Sequence, residues 1–324
     1  MASVIQRVVQ WILVGGRWTR VSVMGFDLPE TGIDDSKLSA LQEERDIILM
    51  IPGNPGNEGF YDHFGRRVLE NLSTKRADSK YLFVTVSHLN HVKLPAELER
   101  SGGHKRDDRF QLDAQVEHKL EFCRDYLPRS RSIFMLGHSI GSYMMLRILP
   151  QLVSDGFLVQ KAIALFPTIE RMATSPNGLR LTPVLAFFDR YDFLVKLLTW
   201  WLDYVPFGVK KWLCSWHMNH PNVPDSVLTA AAELPHLHVF RNIIHLSNDE
   251  MVKVAELDQV LISVPEKIMF YYGTIDGWCP LHYGEDMKRL LPVEQVLIDE
   301  DKCEHAFVIR DGDVVARKVA EMIF

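Results

Sequence analysis

Cysteine is scarce, and the four residues present, Cys123, Cys214, Cys279 and Cys303, do not cluster. They make no C-x-x-C pair and no His–Cys metal pattern, which argues against a disulfide scaffold or a zinc module and for a reducing compartment. Long apolar runs are lacking as well. No stretch reaches about 18 apolar residues without a charge, so no membrane-spanning helix is expected. Positive charge is not in excess either. The formal net charge of −6 argues against nucleic acid as the main partner. The first residues, Met1 to Gly16, are apolar, but Arg7 and Gln10 interrupt them and no A-x-A cleavage pattern follows, so they do not read as a signal peptide. What remains is ordinary for a globular chain: 324 residues, 47% hydrophobic and 24% charged, enough for one large domain or two small ones.

Against this plain background one stretch stands out. Gly137-His138-Ser139-Ile140-Gly141 is a G-x-S-x-G sequence, preceded by the apolar run Ile133 to Leu136 and followed by a helical pattern from Ser142 to Leu149. Strand, sharp turn and helix form the setting of a nucleophile elbow. Such a turn strains the serine backbone and crowds its neighbours, which accounts for Gly137 and Gly141. The plainer alternative is a tight strand-to-helix turn without chemistry.

The rest of the chain alternates short buried runs with helical ones. Val8 to Val14 and Trp18 to Met24, around Gly15-Gly16, read as an antiparallel hairpin. Asp27 to Arg45 is polar and reads as loop, and Pro95 to Arg109 as a charged loop. Strands are predicted at Asp46 to Ile51, Tyr81 to Val86, Ala162 to Phe166, Lys267 to Tyr272 and Gln295 to Ile298, with helices at Gly59 to Leu72, Phe110 to Leu127 and Val314 to Ile323. This pattern predicts an α/β fold with a mostly parallel sheet covered on both faces. From about residue 170 to 262 the alternation stops in favour of aromatic-rich helices, then resumes. The segment is therefore expected to be a cap inserted into a single domain spanning 1–324.

A serine hydroxyl needs a base within hydrogen-bond reach, and the base needs an orienting acid. Two later strands run into loops with those residue types: Gly273 to Pro280 holds Asp276, and Glu304 to Phe307 holds His305. The order Ser139, Asp276, His305 is the one used by α/β-hydrolases. Taken singly, Asp276 also reads as a turn aspartate and His305 as a surface or capping histidine. Asp299, Glu300 and Asp301 read as a solvated acidic loop. Donors for an oxyanion are expected at the N–H of Ile140 and in the loop after Ile51. Pro55 has no N–H, which leaves Gly53 or Asn54, and Asn54 is the expected donor. His88 and His91, at the end of a neighbouring strand, are expected to border the pocket. With no acidic or cysteine partner at ligand spacing they do not read as metal ligands, and no metal or other cofactor is expected. His138 reads as a packing residue.

The blocks Ile51-Pro52-Gly53-Asn54-Pro55-Gly56, Gly137 to Tyr143, Leu165-Phe166-Pro167-Thr168-Ile169-Glu170-Arg171-Met172, Ser175-Pro176-Asn177-Gly178 and Phe270 to Pro280 together resemble the lipid droplet-associated hydrolase family of the α/β-hydrolase superfamily. The resemblance runs from about residue 48 to 308. It implies a serine hydrolase of lipid esters, on lipid droplets and at the cytosolic face of the endoplasmic reticulum membrane. Ser139, Asp276 and His305 fall on the family's triad positions. The stretch from about 183 to 250 is not closely matched.

That stretch carries its own signal. Leu197, Leu198, Trp200 and Trp201 lie in an apolar run broken by Asp189, Arg190, Asp192, Lys196 and Asp203, and four of the seven tryptophans fall at 200, 201, 212 and 216. Bulky apolar residues with interspersed charges suit a helix lying in a lipid interface. They equally suit a cap whose aromatics line an acyl pocket or pack on the sheet. The leading expectation is a hydrolase of apolar carboxylic esters, such as sterol or glycerol esters, with a lipid droplet or membrane surface as partner. The alternatives are a droplet-surface protein whose role does not need catalysis, and a hydrolase of small soluble esters.

Overall fold

The computed structural model describes residues 4–28, 45–75, 81–218 and 222–324. Most of the polar loop expected between Asp27 and Arg45 lies outside them. Eight strands form one sheet: β1 (Ile5–Val14), β2 (Arg17–Phe26), β3 (Asp46–Ile51), β4 (Tyr81–Val86), β5 (Ile133–His138), β6 (Val159–Leu165), β7 (Ile268–Tyr272) and β8 (Val296–Ile298). Their spatial order is β1-β2-β4-β3-β5-β6-β7-β8. β2 pairs antiparallel with both β1 and β4, and every pair from β4 to β8 is parallel. The hairpin, and each strand expected from an apolar run, is present within a few residues of its predicted ends.

The central parallel strands β3, β4 and β5 are buried on both faces, as their largely apolar sequences require. β3 reads Asp-Ile-Ile-Leu-Met-Ile and all but its first residue are buried. Helix α1 (Asp62–Lys75) connects β3 to β4 after one 3-10 turn, Glu58–Tyr61. A short helix, α2 (Ala96–Arg100), lies inside the segment expected to be loop. Helix α3 (Leu112–Tyr126) leads back past β3 to β5, and α4 (Ile140–Ser154) leads on to β6. One crossover steps from β3 to β4 and the next in the opposite direction, so right-handed connections put α1 and α3 on opposite faces. The chain reverses its winding beside β3 and β5, and the crevice beyond their C-terminal ends is where such sheets bind ligands.

Between β6 and β7 no strand occurs among the described residues. The chain passes instead through α5 (Pro176–Arg190), α6 (Asp192–Thr199), a 3-10 turn (Trp200–Tyr204), α7 (Phe207–Met218), α8 (Asp225–Glu233) and α9 (Leu237–Lys253). Helices α10 (Leu281–Met287) and α11 (Gly312–Ile323) follow β7 and β8, and α11 packs on α1. No helix among the described residues is long and apolar enough to cross a membrane.

Candidate active site

Ser139 sits between the last residue of β5 and the first of α4 with φ 53° and ψ −124°. That conformation is costly for a residue with a Cβ and is kept because both neighbouring elements fix it. The space around it explains the two flanking glycines. A Cβ on Gly137 would lie 2.6 Å from the Cα of Ser142, and one on Gly141 would lie 2.2 Å from the carbonyl oxygen of Ile51. Both contacts are with backbone and have no room to relax.

The loops after β7 and β8 bring two side chains to the serine. His305 Nε2 is 2.9 Å from Ser139 Oγ, and His305 Nδ1 is 2.6 Å from Asp276 Oδ2. The Asp276 carboxylate is almost wholly buried and fully used. Its Oδ1 accepts from the N–H groups of Trp278 (2.7 Å) and Cys279 (3.2 Å), and its Oδ2 also accepts from the Cys279 thiol at 3.1 Å. Burial pushes the carboxyl up, but His305 and these donors outweigh it and hold Asp276 below the ordinary carboxylate value. The carboxylate thus stays ionised and orients an imidazole whose far nitrogen faces a hydroxyl. This arrangement is able to deprotonate Ser139. Asp276, Cys279 and His305 are also the one group among the described residues with three metal-ligating atoms within 4.8 Å of each other, but those atoms are bonded to one another.

Asp299, Glu300 and Asp301 are not uniformly solvated. Asp299 is completely buried, where it accepts from the Tyr271 hydroxyl at 2.6 Å and from the N–H of Cys303 at 2.7 Å. Such an aspartate is silent in sequence, because its tyrosine partner lies on β7.

The loop after β3 approaches the same place. Gly53 N–H donates to the Tyr61 hydroxyl at 2.8 Å. Asn54 reaches with its side-chain amide to Ser247 Oγ (2.8 Å), Glu250 Oε1 (3.1 Å) and the Ile243 carbonyl (3.3 Å), all on α9. Asn54 is therefore anchored from outside the sheet. Of the two backbone donors considered, Gly53 is engaged. Ile140 is the first residue of α4, where N–H groups have no partner within the helix. Burial pushes the Glu250 carboxyl up to about 8.

His88 and His91 do not border the pocket. They are buried behind the Asn54 loop: His88 N–H donates to the Gly56 carbonyl at 2.8 Å, and Gly56 N–H donates to His91 Nδ1 at 3.0 Å. A Cβ at Gly56 would stand 2.1 Å from the His88 ring, so the ring fills the space beneath the loop. Burial, and then the nearby Lys119, lower both imidazoles, His91 to about 3. They support the loop as neutral rings.

A cavity of about 330 Å³ opens above Ser139 and His305. Phe60, Leu234, Trp278, Val308 and Ile309 line it, together with Met218, the last residue of α7. Thr168 Oγ1 lies 3.4 Å from Ser139 Oγ, a neighbour that sequence spacing did not single out.

Leu197, Leu198, Trp200 and Trp201 are absent from this cavity. Each is more than half exposed, as are Phe193, Tyr204, Trp212 and Trp216. The three aspartates that break the apolar run face the other way, onto α9 and the chain just before it, while Arg190 and Lys196 are exposed. Asp192 takes two hydrogen bonds from Arg241, 2.6 and 2.8 Å. Asp189 contacts His245 (2.7 Å) and Asn248 (3.1 Å), and Asp203 contacts His236 (2.8 Å) and the N–H of Leu237 (3.1 Å).

Comparison with known proteins bears on the fold and the family. Among solved structures, a serine hydrolase from Cycloclasticus zankles superposes with a TM-score of 0.60 at 11% identity, over 98% of each chain. An esterase from Exiguobacterium antarcticum gives 0.59 at 12% identity, over 97% of this chain and 98% of that one. At such identities the likeness concerns the fold, which is that of the α/β-hydrolases. The lipid droplet-associated hydrolase of Homo sapiens is 32% identical over 321 residues, covering 97% of this chain and 94% of that protein. The Gallus gallus protein of the same name is 31% identical over 295 residues, covering 90% and 88%. The family model described as lipid-droplet associated hydrolase matches residues 44–308, and the chain belongs to that family.

Proposed function

We propose that the protein is a serine hydrolase that cleaves apolar carboxylic esters, of the sterol or glycerol class, at the surface of lipid droplets and of the endoplasmic reticulum membrane. The observation that carries the reading is the bonded series Ser139 Oγ, His305 Nε2, His305 Nδ1 and Asp276 Oδ2 at the floor of a largely apolar cavity. Ser139 Oγ attacks the ester carbonyl carbon while His305 Nε2 takes its proton. The resulting oxyanion is met by the N–H groups of Ile140 and Asn54. Collapse of the tetrahedral intermediate breaks the acyl C–O bond, and His305 returns the proton to the departing alcohol. A water molecule, deprotonated by His305, then attacks the acyl-enzyme and releases the carboxylic acid. Asp276 keeps Nδ1 protonated and supports the imidazolium in both halves of the cycle.

The helices from 176 to 218 supply the lipid contact. Together with the other described residues of 170–262 they form a cap, and the family name carried by the relatives supports the droplet as the surface involved. Met218 joins the two functions, because it ends α7 and lines the cavity. Exposed aromatics on this scale disfavour a hydrolase of small soluble esters. A droplet role without catalysis draws support from the exposed helices alone and requires no intact serine.

Labelling with a fluorophosphonate, followed by a panel of lipid esters, tests the reading. Wild-type protein is expected to label and to hydrolyse long-chain esters, and Ser139→Ala to do neither. A folded Ser139→Ala variant with full activity overturns the assignment. Labelling without turnover of any lipid ester favours the non-catalytic role.

A further inference from the structure

We infer that Tyr61 and His138 form a positioning pair that locks the oxyanion loop, the serine elbow and the His305 loop to one another, and so governs the rate of acyl transfer. The inference rests on Ser139 being the nucleophile. His138 occupies the first variable position of the G-x-S-x-G sequence, where a packing residue was expected. It is buried, yet both its ring nitrogens are bonded: Nδ1 lies 2.7 Å from the Tyr61 hydroxyl, and Nε2 lies 2.8 Å from the backbone carbonyl of His305.

The directions of these bonds follow from chemistry. A carbonyl oxygen only accepts, so His138 Nε2 carries the hydrogen. Burial, and then the adjacent His305, lower the His138 pKa to about 3, so the ring is neutral and Nδ1 is an acceptor. The Tyr61 hydroxyl must then donate to Nδ1, and its oxygen is left to accept from Gly53 N–H at 2.8 Å. Every donor and acceptor in the series Gly53, Tyr61, His138, His305 is matched in a single sense. Burial raises the Tyr61 phenol as well, so the hydroxyl keeps its proton throughout the working pH range. The Phe307 ring meets His138 edge-on at 4.9 Å between centroids, which leaves the imidazole little freedom to turn.

Three consequences bear on the reaction. The Gly53 amide is spent within the pair, so the β3 loop offers its donor from Asn54. The carbonyl of His305 is tied to the residue before Ser139, so the imidazole and the hydroxyl move as one unit. The neutral His138 ring, 5.4 Å from that of His305 between centroids, sets no positive charge against the imidazolium that forms as Ser139 loses its proton.

Kinetics on a short soluble ester test the pair. Tyr61→Phe keeps the ring and removes only the hydroxyl. Its kcat, and its rate constant for fluorophosphonate labelling, are expected to fall by about 10–10²-fold with KM little changed. His138→Gln retains a donor able to reach the His305 carbonyl and is expected to keep several-fold more activity than His138→Leu. A purely structural role would lower Tm while leaving kcat per labelled site at the wild-type value. Wild-type kcat in Tyr61→Phe overturns the proposal, as does equal activity in the two His138 variants. Should both His138 variants fail to fold, Tyr61→Phe decides alone. Ser139→Ala in the same assay separates the two levels of argument. If it still labels, the nucleophile is wrong and the pair falls with it. If it does not label and Tyr61→Phe reacts normally, only the pair falls.

Discussion

In the sheet, β3, β5 and β7 turn their isoleucines, leucines, methionines and aromatics inward and leave polar residues to the loops beyond their ends. In the helices from 176 to 218 the arrangement is reversed. Asp189, Asp192 and Asp203 face α9 and the residues before it, while leucines and tryptophans of the same segment face outward. Both regions are rich in large apolar side chains, so composition alone does not say which way those side chains face. What differs is the partner. The sheet finds its partner in its own helices, whereas the outer helices meet α9 and the residues before it through three aspartates and leave an apolar face exposed. This is the face that we propose meets a lipid surface.

Four tests would break or sharpen this contrast. The largest effect is expected inside the body, at the end of β7. Asp276→Asn leaves the loop in place but favours the wrong imidazole tautomer, and kcat should fall on the order of 10⁴-fold. A loss below about tenfold on steady-state assay would mean that another group orients His305. Next comes packing. Phe166→Ala, fully buried against Phe307 and Tyr271, should cost about 3–5 kcal/mol in urea unfolding, whereas Trp212→Ala should stay within about 0.5 kcal/mol. Similar costs for the two would mean that the outer helices have a core of their own. Replacing Leu197, Leu198, Trp200 and Trp201 together with serine or glutamine should weaken vesicle or droplet flotation by about 10²-fold and leave turnover of a short soluble ester intact. Unchanged flotation, or loss of soluble-ester turnover, would assign those residues to the body.

The smallest effect concerns the charged seam. Burial raises the carboxyls of Asp192 and Asp203, but Arg241 for the first and His236 for the second outweigh it, and both are held below their ordinary value. A depressed carboxylate contributes stability that is present above its unfolded pKa, near 3.8, and is lost as pH falls through the folded one. The outer helices should therefore loosen below about pH 4, and Asp192→Asn should remove part of that acid sensitivity. Limited proteolysis between pH 3 and 6 reads the difference. An identical acid profile in Asp192→Asn and wild type would detach the seam from this carboxylate.

Much of the sheet was legible because parallel strands bury both faces and so appear as short unbroken apolar runs such as Ile47 to Ile51. The serine, aspartate and histidine were legible as positions because each interrupts the chain just after such a run. What was not legible depends on direction. Helical spacing from 192 to 204 gives the same reading whether the apolar side faces inward or outward, and the partners of Asp192 and Asp203 show which side is turned to the protein. His88 and His91 lie at a strand end like the site residues, but Gly56 turns back over them and closes them off. Asp299 read as solvated among acidic neighbours because its partner Tyr271 is 28 positions away. His138 gave no hint of its two bonds for the same reason.

The distribution of indoles gives the molecule a built-in optical reporter. Trp200, Trp201, Trp212 and Trp216 are all more than half exposed, while Trp278 stands at the cavity wall with its ring 6.3 Å from that of His305. Emission from the four outer indoles should shift to the blue when the helices enter an apolar phase, with no dye attached. Trp278 should respond instead to occupancy of the cavity, so quenching by a water-soluble agent would separate arrival at the surface from entry of the substrate.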